Sequence, residues 1–132
     1  MGSSERAVKQ VDMDSFRELM VWQKSLKLVE SVYLDTKGFP KEEIFGLKMQ
    51  VRRCAASVPS NIAEGYGRQH TSEYIRFLQI ARGSLFELMT QLEIALSLGY
   101  MQNITSLQNE CNEIAKMLNS LIRKLSDSPR KR

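Results

Sequence analysis

The sequence predicts an all-α protein: an up-down-up-down antiparallel four-helix bundle whose second helix is kinked at Pro59. Three observations lead there. Apolar residues recur at steps of three and four through four long stretches, the period of a helix with one buried face. Short breaks at Gly38 to Pro40, Gly65 to His70 and Gly99 separate the stretches, and short connections make consecutive helices antiparallel neighbours. No strand pattern competes. The 132 residues form one domain, able to bury about two-thirds of its unfolded surface. The expected division is a disordered N-terminal segment over 1–14, the bundle over 15–125 and a disordered basic tail over 126–132.

The first helix is expected to start at Ser15, where Ser15-Phe16-Arg17-Glu18 has the form of a capping box. Leu19, Trp22, Leu26, Val29 and Tyr33 then make its main apolar face, with Val21, Leu28 and Val32 as a second strip. The second helix should run from Lys41 to Glu64, with Glu42 and Glu43 in the first turn, where the helix dipole favours negative charge. Its core stripe is Ile44, Leu47, Val51, Cys54 and Val58, and the next slot falls on Asn61 or Ile62. Thr71 is the expected cap of the third helix, which runs to about Leu98. There Tyr74, Leu78, Ala81, Leu85, Leu88, Leu92 and Ala95 keep an unbroken three-four alternation. Asn103 is placed to cap the fourth, whose stripe is Ile104, Leu107, Cys111, Ile114, Leu118, Leu121 and Leu125.

The stretch from Arg52 to Arg68 carries the most information. A proline inside a helix loses a hydrogen bond and clashes with the preceding turn, costing about 3 kcal/mol. The bond lost at Pro59 is the one to the Ala55 carbonyl. Ser57, Ser60 and Asn61 are short polar side chains able to serve freed backbone groups. Gly65 is expected to end the helix in the left-handed conformation. Pro59, Asn61 and Glu64 are read as a structural network, with Glu64 paired to Arg52, Arg53 or Arg68.

The run Ser57-Val58-Pro59-Ser60-Asn61-Ile62-Ala63-Glu64-Gly65-Tyr66-Gly67-Arg68 resembles the signature of bacterial four-helix-bundle proteins encoded in intervening sequences of large-subunit ribosomal RNA genes. Ala81 to Leu88, Thr90 to Ala95 and the opening Leu19 to Ser25 fit the same family. The resemblance spans Phe16 to Leu125. It implies a homo-oligomer, most often a pentamer, as in the related accessory variability proteins of diversity-generating retroelements. It also implies nucleic-acid binding, with RNA as the natural partner.

Composition limits the alternatives. The chain is 42% hydrophobic and 26% charged, with a net charge of +4 and a pI of about 9.2, compatible with a polyanionic partner. No apolar run is long enough for a membrane span. Met1 to Asp12 are polar without a signal-peptide core, so the expected location is the cytoplasm. Cys54 and Cys111 lie far apart on apolar stripes and read as buried free thiols. His70 is the lone histidine, in a loop, with no inward Glu-x-x-His pair. Gly65 and Gly67 close a helix, whereas phosphate-binding glycines open one. No metal, cofactor or catalytic group is expected, and the protein is read as a non-enzyme.

Two surface features remain. Lys48, Arg52, Arg53, Arg68, Arg76, Arg82, Arg123 and Lys124 are the candidate nucleic-acid-binding residues, extended by Arg130, Lys131 and Arg132. Phe45, Met49, Ile75, Phe77, Phe86, Met89 and Leu96 exceed what one bundle core requires and are the candidate subunit interface. Assembly would multiply modest charge, five copies of +4 making about +20, and affinity for RNA would fall steeply with salt. No aromatic-interleaved single-strand platform is evident. The alternative is a protein-interaction scaffold or accessory subunit, for example to a reverse transcriptase, that does not itself bind RNA.

Overall fold

A computed structural model describes residues 15–127. The expected disordered ends, with Arg130, Lys131 and Arg132, lie outside the described residues, save that Ser126 closes the last helix and Asp127 is its C-cap. Four helices pack against one another, and no strand occurs among the described residues. They are α1 (Met20–Asp35), α2 (Leu47–Tyr66), α3 (Thr71–Ser97) and α4 (Thr105–Ser126), with single 3-10 turns at Ser15–Glu18 and Lys41–Glu43. Contacts run in opposite order along neighbouring helices. Gly65 lies against Phe77 while Cys54 donates to the Ser84 carbonyl; Arg82 reaches Asn119 while Gln108 reaches the Met89 carbonyl.

In α1 two expectations need correction. Ser15 and Glu18 form no capping box: they sit in the 3-10 turn, and α1 begins after an extended Leu19. The Ser15 hydroxyl instead pairs with the Tyr66 hydroxyl at the end of α2. The core face is also rotated. Val21, Ser25, Leu28 and Val32 are buried, whereas Leu26 and Tyr33 are exposed. Ser25 completes that stripe because its hydroxyl donates to the Trp22 carbonyl at 2.8 Å. A buried hydroxyl with a partner carries little penalty, so a polar residue occupies a slot that apolar spacing does not reveal.

The second helix starts six residues later than expected. The Glu43 carboxylate accepts the Leu47 amide at 2.8 Å and the Tyr100 hydroxyl at 3.0 Å. This holds Lys41–Glu43 as a separate turn and leaves Ile44 and Phe45 on the outside. Ile44 is therefore not a core residue. Val51, Cys54, Val58 and Ile62 are buried as the stripe requires, with Ile62 rather than Asn61 taking the inner slot.

Pro59 is buried within α2, which continues to Tyr66. The Ser57 hydroxyl donates to Cys54 (2.7 Å), Ser60 to Ala56 (2.9 Å) and the Asn61 amide to Ser57 (2.8 Å), each to a backbone carbonyl. Gly65 is not a left-handed stop; it lies inside the helix. An added Cβ there would stand 2.7 Å from the Phe77 Cβ and 3.2 Å from the Tyr74 carbonyl. Its role is close packing of α2 on α3.

In α3 the expected seam is buried from Leu78 to Ala95, with Tyr74 packed against its end. His70, not Thr71, holds the N-cap position, because its carbonyl receives the amides of Glu73 and Tyr74. Gly99 is the left-handed stop, at φ 77°. Tyr100 donates back to Ala95 at 2.9 Å and Gly99 to Leu96 at 3.0 Å, the paired bonds of a Schellman end. In α4 the N-cap position falls on Ile104 rather than the expected Asn103, yet the Asn103 side chain accepts the Thr105 amide at 2.8 Å. Ile104, Leu107, Cys111, Ile114 and Leu118 are buried, and Leu121 and Leu125 pack at the margin.

Candidate nucleic-acid interface

The candidate basic residues fall into separate groups. Lys48, Arg52 and Arg53 lie in the first half of α2, beside the end of α1. Arg68 is 16 positions beyond Arg52, about 24 Å at helical rise. It shares the Phe77 ring with Arg76, their guanidinium carbons 4.7 and 5.9 Å from the ring centroid. Arg82 is committed to α4 through a 2.6 Å bond to Asn119. Arg123 and Lys124 are exposed in the last turn of α4.

The first group frames a groove of about 490 Å³ lined by Tyr33, Ile44, Lys48, Met49, Arg52 and Arg53. Arg52 is its fixed member. Its Nε donates to Thr36 Oγ1 and its Nη2 to the Tyr33 carbonyl, both at 2.9 Å. The Thr36 hydroxyl in turn donates to the Val32 carbonyl at 2.8 Å. A cation at the end of α1 meets the negative end of the helix dipole. The same guanidinium lies 4.4 Å from the centre of the Tyr33 ring. Lys48 has no carboxylate partner among the described residues, and the Arg53 guanidinium approaches Met49 Sδ at 3.4 Å.

Glu64 pairs with Arg68 at 2.8 Å, its side chain 54% exposed. Such a pair contributes about 0.5 kcal/mol at most. Arg52 and Arg53 turn elsewhere, and Asn61 serves the Ser57 carbonyl rather than that of Ala55. The expected residues thus lie along one stretch of α2 as local bonds, while Arg52 belongs to the α1–α2 junction.

Among the described residues no three His, Cys, Asp or Glu side chains come together as a metal site. Cys54 and Cys111 are buried and free, and burial pushes both thiols up to about 12. Almost no thiolate exists at neutral pH, so neither is poised as a nucleophile. No described helix is long and apolar enough to cross a membrane.

The family profile described as 23S rRNA-intervening sequence protein matches residues 17–120. The chain belongs to that family. A comparison with curated proteins gives no match. The matched span of this intervening-sequence family member covers α1 to α3 and most of α4, and so contains the Tyr33–Arg53 groove, the Arg68–Phe77–Arg76 cluster and Arg82. Arg123 and Lys124 lie beyond it.

Of the candidate interface residues, Phe45 (83%), Phe86 and Leu96 are exposed, whereas Met49, Ile75, Phe77 and Met89 are half-buried. Met20, Leu34, Ile80, Ile94 and Leu98 are further exposed apolar side chains. Tyr33 is the groove residue that helical spacing misassigns. Its place on the three-four ladder points inward, and only the rotation of α1 around Ser25 turns it out.

Proposed function

We propose that this protein is a non-enzymatic homo-oligomer, a pentamer, that binds structured RNA through basic surface. The observation that carries the reading is a set of cations with no carboxylate partner among the described residues: Lys48, Arg53, Arg76, Arg123 and Lys124. Membership of a family named for 23S rRNA intervening sequences supports RNA as the polyanion. Phosphate contacts of this kind give affinity without base readout. Repetition of the surface in an assembly would join small groups into a continuous one.

The test is binding to a structured large-subunit rRNA fragment across a salt series. Affinity should fall steeply with salt, and the Lys48→Ala/Arg53→Ala and Arg123→Ala/Lys124→Ala variants should lower the slope by about 1 for each phosphate contact removed. No binding at low salt, or slopes unchanged in both variants, overturns the reading. A second reading, a scaffold that docks a protein partner, draws on the nearly full exposure of Phe45. It predicts that Phe45→Ser abolishes partner capture while RNA binding is absent from the start.

A further inference from the structure

The groove between α1 and α2 has a composition that plain phosphate binding does not require. Phosphates need cations, and Lys48 and Arg53 supply them at its edge. The remaining lining is flat or apolar: the Tyr33 ring, the Arg52 guanidinium laid over it at 4.4 Å, and the side chains of Ile44 and Met49. Resting on the RNA reading of this surface, we infer that the groove takes one unpaired nucleotide of a structured RNA, its base extending the Tyr33–Arg52 stack and its phosphate meeting Lys48 and Arg53.

Four features support this occupant. Aromatic rings and guanidinium planes are the surfaces on which proteins stack unpaired RNA bases. Arg52 cannot swing away freely, because Thr36 and the Tyr33 carbonyl hold two of its nitrogens; the platform is built before the ligand arrives, which lowers the ordering cost of binding. Tyr33 is 44% exposed, so the ring is reachable. The groove volume of about 490 Å³ falls in the range of roughly 300–1,000 Å³ typical of small-ligand sites. An acidic peptide would satisfy Lys48 and Arg53 but leave the ring, Ile44 and Met49 unmatched. A paired base inside an A-form helix offers no face for stacking.

The experiment uses the full chain and two RNA hairpins of equal length, one fully paired and one with a single-nucleotide bulge, compared by fluorescence anisotropy at low salt. The wild type should bind the bulged hairpin about fivefold or more tightly, the lower end of what one stacked base provides. Tyr33→Phe should keep the preference. Tyr33→Leu should lose it, with its melting temperature recorded alongside, since the carbonyl that Arg52 uses is backbone and survives. Lys48→Ala/Arg53→Ala should weaken both hairpins alike. Independently of any variant, 2-aminopurine in the bulge should change its fluorescence on binding to the wild type. Equal, salt-dependent binding of both hairpins with silent 2-aminopurine overturns the nucleotide site and leaves the charge-based reading standing. Binding of neither hairpin overturns both, and capture of poly-glutamate in their place would give the groove to an acidic protein. Adenosine monophosphate competing as well as the bulged hairpin would make the ligand a free nucleotide and overturn the RNA assignment.

Discussion

Glu110 sits on α4 in the groove it forms with α1, near the Lys24–Glu113 ion pair of 2.7 Å. Burial raises its carboxyl above the ordinary 4.5; Asp35 and Glu113 push the same way, while a bond from Ser31 and the charge of Lys24 oppose them. A raised folded-state value means the fold prefers the protonated form. The stability this group contributes is complete below 4.5 and is lost as pH rises through its folded-state value. Glu110→Gln should therefore flatten the decline in melting temperature between pH 4 and pH 7 relative to wild type; parallel curves would refute the assignment. Arg52 teaches a related lesson. A sequence marks it as a surface cation, but the guanidinium fork fits two acceptors at the end of α1, and such a fork is not replaced by lysine.

At the scale of elements, the packing of α2 on α3 is set by a residue with no side chain. Gly65→Ala would press a methyl to 2.7 Å from the Phe77 Cβ, and overpacking of that kind costs about 1–3 kcal/mol. Gly83 provides the contrast: it is exposed within α3 and nothing lies within 4 Å of its Cβ position. Gly83→Ala should stabilise by about 0.5–1 kcal/mol through helix propensity alone. Urea unfolding should move the two midpoints in opposite directions; movement in the same direction would contradict the contact. The α3 seam was readable from spacing because four fully buried leucines, Leu78, Leu85, Leu88 and Leu92, repeat with the helix, and the buried polar residue Gln91 falls beside their ladder rather than on it. The α1 register was not, because a satisfied Ser25 occupies one of its slots.

Across the whole molecule, apolar side chains left outside the core are spread over α1, the turn before α2, and α3. Large exposed apolar surface marks contact with a partner or another copy. The proposed assembly predicts a native mass several times 15.2 kDa, about fivefold if the ring is a pentamer. Phe45→Glu with Phe86→Glu should reduce it, since a charge in an apolar interface is costly to desolvate. A wild-type mass of a single chain by light scattering at micromolar concentration would remove the oligomer and the charge multiplication with it.

The sequence by itself determined the helical class, the family and most of the inward residues, because burial against neighbouring helices imposes a 3.6-residue period that apolar spacing records directly. It also located the helix break at Gly99 and a helix-start role for the Asn103 side chain, where local backbone chemistry leaves local marks, although it put the left-handed turn at Gly65 instead of Gly99. Only the tertiary structure decided that Gly65 packs rather than stops, that Glu43 delays α2, and that Tyr33 faces a basic groove. Each of these depends on a partner from another element: Phe77, Tyr100 and Arg52 respectively. A contact between distant segments has no period, so it cannot be read along one chain.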